Sequence, residues 1–283
     1  MRTSSYTLQV VWGMRELLEI IRAEYMFVYG DIIRRKSAFI SLLAYPYMLT
    51  VFILGIGYGL GGLNTFTEKT GADPLLFYIS GSYMMLSIMA VSDDLLWRPD
   101  FDHWMGTLPY VLLSPVKRVY RYVAIPLPRL TLVVLLGSTS IVPVFILLHG
   151  VSGLVESLAI IAMTIAASLS FIPVSLLIMG LLYRSTGENW RVLNIVRPLI
   201  MILLGVYYPR YMMPWVARLI TYLIPSSSII EAVQRLLTSL ELDSYSWMLI
   251  GLATALTLIY LPIGVRSIVK WEGKLRAAGV KTE

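Results

Sequence analysis

Apolar positions along residues 1–36 recur every three or four residues, and beyond residue 37 that rhythm gives way to long apolar runs. Met14, Leu17, Leu18, Ile21, Tyr25, Val28 and Ile32 share one helical face. Arg15, Glu19 and Arg22 lie on the opposite face at spacings that allow them to pair. The pattern predicts an amphipathic helix lying in the membrane interface, and a helix packed on another subunit would carry the same stripe. The cluster Arg34-Arg35-Lys36 marks where the chain turns into the bilayer.

A hydrocarbon core of about 30 Å takes roughly 20 apolar residues per helical crossing. Runs of that kind lie near 37–60, 75–92, 127–148, 154–183, 193–209 and 245–268. The stretch 211–237 is different. Arg218 sits in its middle, Pro225 and Ser226-Ser227-Ser228 break it, and Glu231 and Arg235 follow. A mid-membrane charge costs a few kcal/mol, about 2.5–3.5 on insertion scales. Two short helices that dip in from one side satisfy this stretch better than a seventh span does. The expected fold is therefore an all-α polytopic membrane protein with six transmembrane helices. An N-terminal interfacial helix over 1–36 precedes a membrane domain over 37–283, with an outer re-entrant hairpin over about 210–237 and a tail over 269–283.

Composition agrees and removes alternatives. The 283 residues are 57% hydrophobic and 14% charged, with a mean hydropathy of +0.74. Soluble chains carry about 25% charged residues, so a soluble enzyme and a disordered scaffold are both excluded. Six spans with both ends inside leave only Lys69, Arg210, Arg218 and Arg235 outside, and the other 19 of the 23 basic residues inside. The formal charge of +6 is thus a topology signal, not a sign of nucleic-acid binding. It predicts a multi-pass protein of the cell membrane with cytoplasmic N- and C-termini. Arg15, Glu16, Glu19 and Arg22 interrupt any cleavable leader pattern. With no cysteine, disulfides and thiolate chemistry are excluded, and His103 and His149 are too few for a histidine metal cluster.

Enzyme signatures are nearly absent. The sequence has no G-x-x-x-x-G-K-[ST], G-x-S-x-G or H-E-x-x-H, so a transporter subunit without nucleotide chemistry of its own is expected. Gly55, Gly57, Gly59, Gly61 and Gly62 lie in or at the end of the first span, where close helix packing and a flexible exit account for them. Asp93, Asp94, Asp100 and Asp102 form the one candidate for metal chemistry, because grouped carboxylates at a membrane surface can hold Mg2+ against a diphosphate. A membrane prenyltransferase would use two such loops, and the other inner loop offers only Glu188. A solvated acidic turn pairing with Arg98 and Lys117 is the simpler reading. An ATP-independent secondary transporter is the other alternative, and the spans hold few ionisable groups for ion coupling.

Beside the aspartates runs GTLPYVLLSPVKR, residues 106–118. Thr107 is placed to cap a helix with Pro109 in its first turn, and Ser114-Pro115 repeats the device for another. Residues 108–113, LPYVLL, are thus a short uncharged helix outside the membrane, which predicts insertion into a partner's groove. Gly106-Thr107-Leu108, Leu112-Leu113-Ser114-Pro115-Val116 and Arg118 resemble the signature of type-2 ABC exporter permeases between their second and third spans. Gly205-Val206-Tyr207-Tyr208-Pro209, Met213-Pro214-Trp215, Ile224-Pro225 and Glu231-Ala232-Val233-Gln234-Arg235 are similar to that family's stretch leading into an outer hairpin. Pro109 stands where the family usually has glutamate, and Pro126 and Pro128 interrupt the base of the third span.

The resemblance implies an exporter permease working as a dimer, with an identical copy or a paralogue, on two separate ABC ATP-binding subunits. ATP and Mg2+ would belong to those subunits, and this chain would bind no cofactor or nucleic acid. Gly106, Thr107, Leu108, Leu112, Leu113, Ser114 and Pro115, within about 100–118, would form the ATPase-coupling element, with Arg184, Gly187 and Glu188 as a second contact. Candidate residues of the substrate path are Ser80, Ser82, Ser87, Asn194 and Arg197, with Tyr207 and Tyr208 at its outer mouth. Pro209, Pro214, Pro225, Glu231 and Arg235 would shape the outer hairpin. The lining suits a lipophilic drug-like molecule, a lipid or a lipid-linked glycan.

Overall fold

Proline, glycine and aspartate set most of the helix boundaries. The computed structural model describes residues 3–183, 189–239 and 241–278, and all regular structure among them is helical. A single residue, Arg35, separates α1 (Thr3–Arg34) from α2 (Lys36–Gly59). The short α3 (Gly62–Thr70) follows, and then α4 (Pro74–Trp104). Asp73 caps α4 by accepting from the Leu75 and Leu76 N–H groups at 2.8 and 3.1 Å, and Pro74 occupies the first turn, where no N–H is needed. Beyond α4 come α5 (Leu108–Leu113), α6 (Arg118–Ala124), α7 (Leu127–His149) and α8 (Val151–Leu182). The chain continues through α9 (Asn189–Leu204), a 3-10 turn (Arg210–Met212), α10 (Trp215–Tyr222), α11 (Pro225–Ser239) and α12 (Ser244–Ala278).

Among the described residues, five helical stretches are long and apolar enough to cross a membrane: Phe39–Gly59, Pro74–Trp104, Arg118–His149, Val151–Leu182 and Ser244–Lys274. A sixth is reached only if α10 and α11, bent by 105° at Pro225, count as one broken span. The architecture is that of an all-helical polytopic membrane protein. The run expected to cross at 193–209 does so as helix only to Leu204, where Gly205 takes a φ of +69° and ends α9. Sixteen residues rise about 24 Å, short of a bilayer core of about 30 Å. The stretch 211–237 does form two short helices, as expected.

α4 lies at the centre. Its Tyr83, Met84, Met85 and Ile88 join Ile141 and Phe145 of α7, Ile160 and Phe171 of α8, Ile229 and Val233 of α11, and Leu249 of α12. A second cluster toward the other end of α4 joins Val91, Leu95 and Leu96 to Tyr122, Leu130, Leu176, Ile268 and Trp271. Of the glycines of α2 only Gly57 is closely approached, where a Cβ would lie 2.8 Å from Leu63 of α3. Gly55 and Gly59 have nothing within 4 Å of a Cβ position, which corrects the close-packing reading for them. Close approach occurs also where a Cβ on Gly137 would strike the Tyr83 ring and one on Gly180 would strike Ser267 of α12. α2 leans outward, exposing Ile40, Met48, Val51 and Phe52, as a lipid-facing or subunit-facing helix does.

Candidate functional site

α5 packs on the end of α4, where Arg98 of α4 and Arg118 and Arg121 of α6 gather with Glu24 of α1 and Glu272 of α12. Gly106, in a left-handed conformation (φ +67°), turns the chain back at the end of α4. α5 follows as the expected six-residue helix. Thr107 does not cap it, because its hydroxyl turns back to the Asp102 carbonyl and carboxylate, both at 3.2 Å. Ser114-Pro115 ends α5 but does not start the next helix, which begins at Arg118.

Arg118 is the hub. It donates to the carbonyls of Leu112 at 3.0 Å and of Ser114 and Val116 at 3.4 Å, and its Nε pairs with Glu272 Oε2. The last carbonyls of α5 have no partner inside that helix, so one guanidinium closes the helix and ties it to α12. Tyr122 Oη donates to the second Glu272 oxygen at 2.9 Å. On the other side Asp102 pairs with Arg121 and Arg98, and Arg98 reaches Glu24 of α1 at 2.8 Å. Burial pushes the Glu24 carboxyl above its usual range, with the Arg98 charge opposing. Tyr183 donates to the Leu96 carbonyl at 3.0 Å and its ring lies tilted at 5.4 Å from that of Trp271, and burial, aided by the Asp100 charge, pushes its hydroxyl up. α5 is thus held directly by Arg118 of α6 and against α4, and through the pairs of Arg118 and Asp102 it is linked on to α12 and α1.

Fastening decides which side of α5 remains free. Leu108 and Leu112 are buried at 6% and 4% exposure, while Tyr110 and Leu113 stand out at 77% and 83%. Leu108 and Leu112 are therefore anchors to the chain's own bundle, and of the three expected contact leucines the exposed face keeps only Leu113. Arg184, Gly187 and Glu188 lie outside the described residues.

The aspartates do not form a solvated turn. Asp93, Asp94 and Asp102 all lie within α4, where they pair with Arg197 at 2.8 Å, Arg129 at 2.7 Å, and Arg121 with Arg98. Lys117 takes no part and rests over the Tyr120 ring. No group of three acids or histidines converges among the described residues.

The proposed path serines are packed away. Ser80, Ser82 and Ser87 are buried at 1% exposure or less. Ser87 bonds back to its own helix at the Tyr83 carbonyl, and Ser82 accepts from Thr50 at 3.2 Å. Asn194 is exposed, Arg197 is tied to Asp93, and Tyr208 donates to the Ile202 carbonyl. Tyr207 is half-buried against the core. These positions do not share one lining within a single chain.

At the opposite end Pro209, Pro214 and Pro225 each open a helical turn. Glu231 pairs chiefly with Arg210 at 2.8 Å, lies 3.9 Å from Arg235, and leaves Arg235 to Asp243 at 3.1 Å, so the expected Glu231–Arg235 couple is secondary. Arg210, only 4% exposed, also donates to Ser227 and lies over the Tyr222 ring. Arg218 folds back onto the carbonyls of Tyr211 and Met213, which removes the charge problem that set this stretch apart. The chain matches no family model, no curated protein and no solved structure.

Proposed function

We propose that this chain is the membrane-spanning permease subunit of an ATP-driven exporter. It would act as a pair of permeases on two ATP-binding subunits and move a lipophilic, lipid or lipid-linked glycan substrate out of the cytoplasm. The observation that carries the reading is α5: an uncharged helix outside the apolar spans, clamped from several sides, with Tyr110 and Leu113 left bare. A helix so held transmits a push instead of bending away from it. Arg118 and Glu272 would pass movement to α12, and Asp102, Arg98 and Glu24 to α1. The similarity of residues 106–118 and 205–235 to type-2 ABC exporter permeases gives the partner its class. α9 would rise from the inner end, and the bent α10–α11 pair would form the outer part and re-enter from outside, with both termini in the cytoplasm.

Because α2 and α9 present Ile40, Met48, Val51, Ile195 and Leu199 outward, a second copy can meet this face and leave the substrate path between copies. Switching between inward- and outward-facing packings would follow ATP-driven closure of the partner subunits.

Co-expression with an ABC ATP-binding subunit from the same genome, followed by affinity capture, tests the reading. The wild-type chain is expected to retain the ATPase, and Tyr110→Asp with Leu113→Asp to lose it while remaining folded. Retention by that double variant, or no retention by wild type, overturns the assignment of α5.

A further inference from the structure

A cavity of about 660 Å³ opens among α1, α2, α4, α7 and α9 at the arginine-rich end of the bundle. Its size is that of a small-molecule site, and it sits beside Arg35, where the chain turns from α1 into the first span. The wall carries four arginines (Arg35, Arg98, Arg129 and Arg197) against three aspartates (Asp31, Asp93 and Asp94). Phe27, Leu42, Tyr45 and Leu86 supply an apolar side.

We propose that this cavity binds an amphiphile with a phosphate headgroup, drawn from the leaflet at the arginine-rich end. The headgroup would sit on Arg129 and Arg197 and the hydrocarbon on the apolar side. Neighbouring positions on α4 orient these two arginines. Arg129 gives one nitrogen to Asp94 at 2.7 Å, and Arg197 gives its Nε to Asp93 at 2.8 Å while lying over the Trp97 ring at 5.5 Å. A guanidinium has five N–H donors, so each keeps most of them for a phosphate. A purely structural pair in this protein looks different: the Arg210 side chain is 4% exposed, against 41% for Arg129 and 27% for Arg197. Partly exposed arginines on a cavity wall beside apolar side chains have the chemistry that holds lipid phosphates. The excess of one positive charge in the wall favours an anionic head over a cationic one. The proposal does not depend on the ATPase partner.

Trp97 lines the cavity and reports on it. The purified full chain in detergent is titrated with phosphatidylglycerol brominated on its acyl chains and, separately, with brominated diacylglycerol. Phosphatidylglycerol is expected to quench saturably at one lipid per chain, and Trp97→Phe to remove that component. Brominated diacylglycerol should quench without saturation. Replacing both pairs together (Asp93→Asn, Asp94→Asn, Arg129→Gln, Arg197→Gln) leaves no uncompensated charge and is expected to weaken binding by at least about tenfold, the worth of one charge-assisted hydrogen bond. Equal quenching by the two lipids, or unchanged affinity in the fourfold variant, overturns the proposal. Displacement by millimolar inorganic phosphate at the concentration that fills the site alone also overturns it, because the site would then read free phosphate.

Discussion

Arg118 Nε and Glu272 Oε2 form an ion pair in which the two side chains are only 12% and 4% exposed. It joins the segment after the second membrane helix to the far end of the last one. Tyr122 completes the site by donating to the other carboxylate oxygen, so Glu272 is satisfied on both sides. Such a pair contributes geometry more than net stability, because desolvation offsets most of the Coulomb gain. What it fixes is the position of α5 relative to α12.

Removing one partner of this pair leaves the other buried and charged. Glu272→Ala is therefore expected to destabilise the protein by about 3–5 kcal/mol. Glu272→Gln, which keeps an amide oxygen to accept from Arg118 and an NH2 that can donate to the Tyr122 hydroxyl once that hydroxyl turns round, should cost visibly less. Thermal unfolding followed by tryptophan fluorescence distinguishes the two. Equal melting temperatures for wild type and Glu272→Ala would remove the clamp from the account.

A second buried cation holds the α10–α11 bend. Arg210→Ala strips Glu231 of its 2.8 Å partner and empties the place over the Tyr222 ring, with an expected loss of about 3–5 kcal/mol. Arg210→Lys should not restore it, because an ammonium cannot serve Glu231, Ser227 and the ring from one plane. Protease accessibility of residues 205–225 is the direct measurement, and unchanged protection in Arg210→Ala would sink the idea.

The helices were legible in the sequence because apolar runs and the i, i+3/i+4 stripe depend on local spacing alone. Residues 108–113 emerged at their observed bounds for the same reason, with Pro109 and Ser114 as punctuation. Ion-pair partners were not legible. Asp93 and Arg197, or Arg118 and Glu272, meet only through helix packing, and no spacing rule reaches across the chain. The face of α5 was misread on the same account: LPYVLL has apolar residues all round, so which leucines turn inward depends on where Arg118 anchors it. Thr107 carried a valid capping pattern and lost to the competing acceptor Asp102, a tertiary contact.

Two glycines of the same composition class are expected to behave oppositely. A Cβ at Gly180 would lie 2.4 Å from Ser267 Oγ and 2.8 Å from its backbone carbon, so Gly180→Ala forces α8 and α12 apart. The expected cost is about 1–3 kcal/mol. Gly55 has nothing within 4 Å, and Gly55→Ala in the middle of α2 should be neutral or stabilising by up to about 1 kcal/mol through helix propensity. Melting temperatures of the two variants side by side decide it, and a destabilised Gly55→Ala would mean that α2 packs tightly against another surface.

Glu24 gives the stability a pH dependence whose sign is fixed by burial. Its carboxyl is pushed above the usual 4.5, first by desolvation, with the charges of Arg98 and Arg121 pulling the other way. A raised acid binds its proton more tightly in the folded state than in the unfolded one. The stabilisation from protonating Glu24 is therefore complete below 4.5 and is lost as pH rises through the raised folded value. Glu24→Gln carries a permanently neutral group and has no such dependence. The stability difference between wild type and Glu24→Gln is thus expected to move in favour of wild type as pH falls through the raised folded value toward 4.5, and to stay flat above that folded value. Unfolding midpoints across that range, compared as a difference so that other carboxylates cancel, read it directly. A difference moving the opposite way would mean that Arg98 and Arg121 outweigh burial at Glu24, and that α1 is held to α4 by a net favourable charge pair.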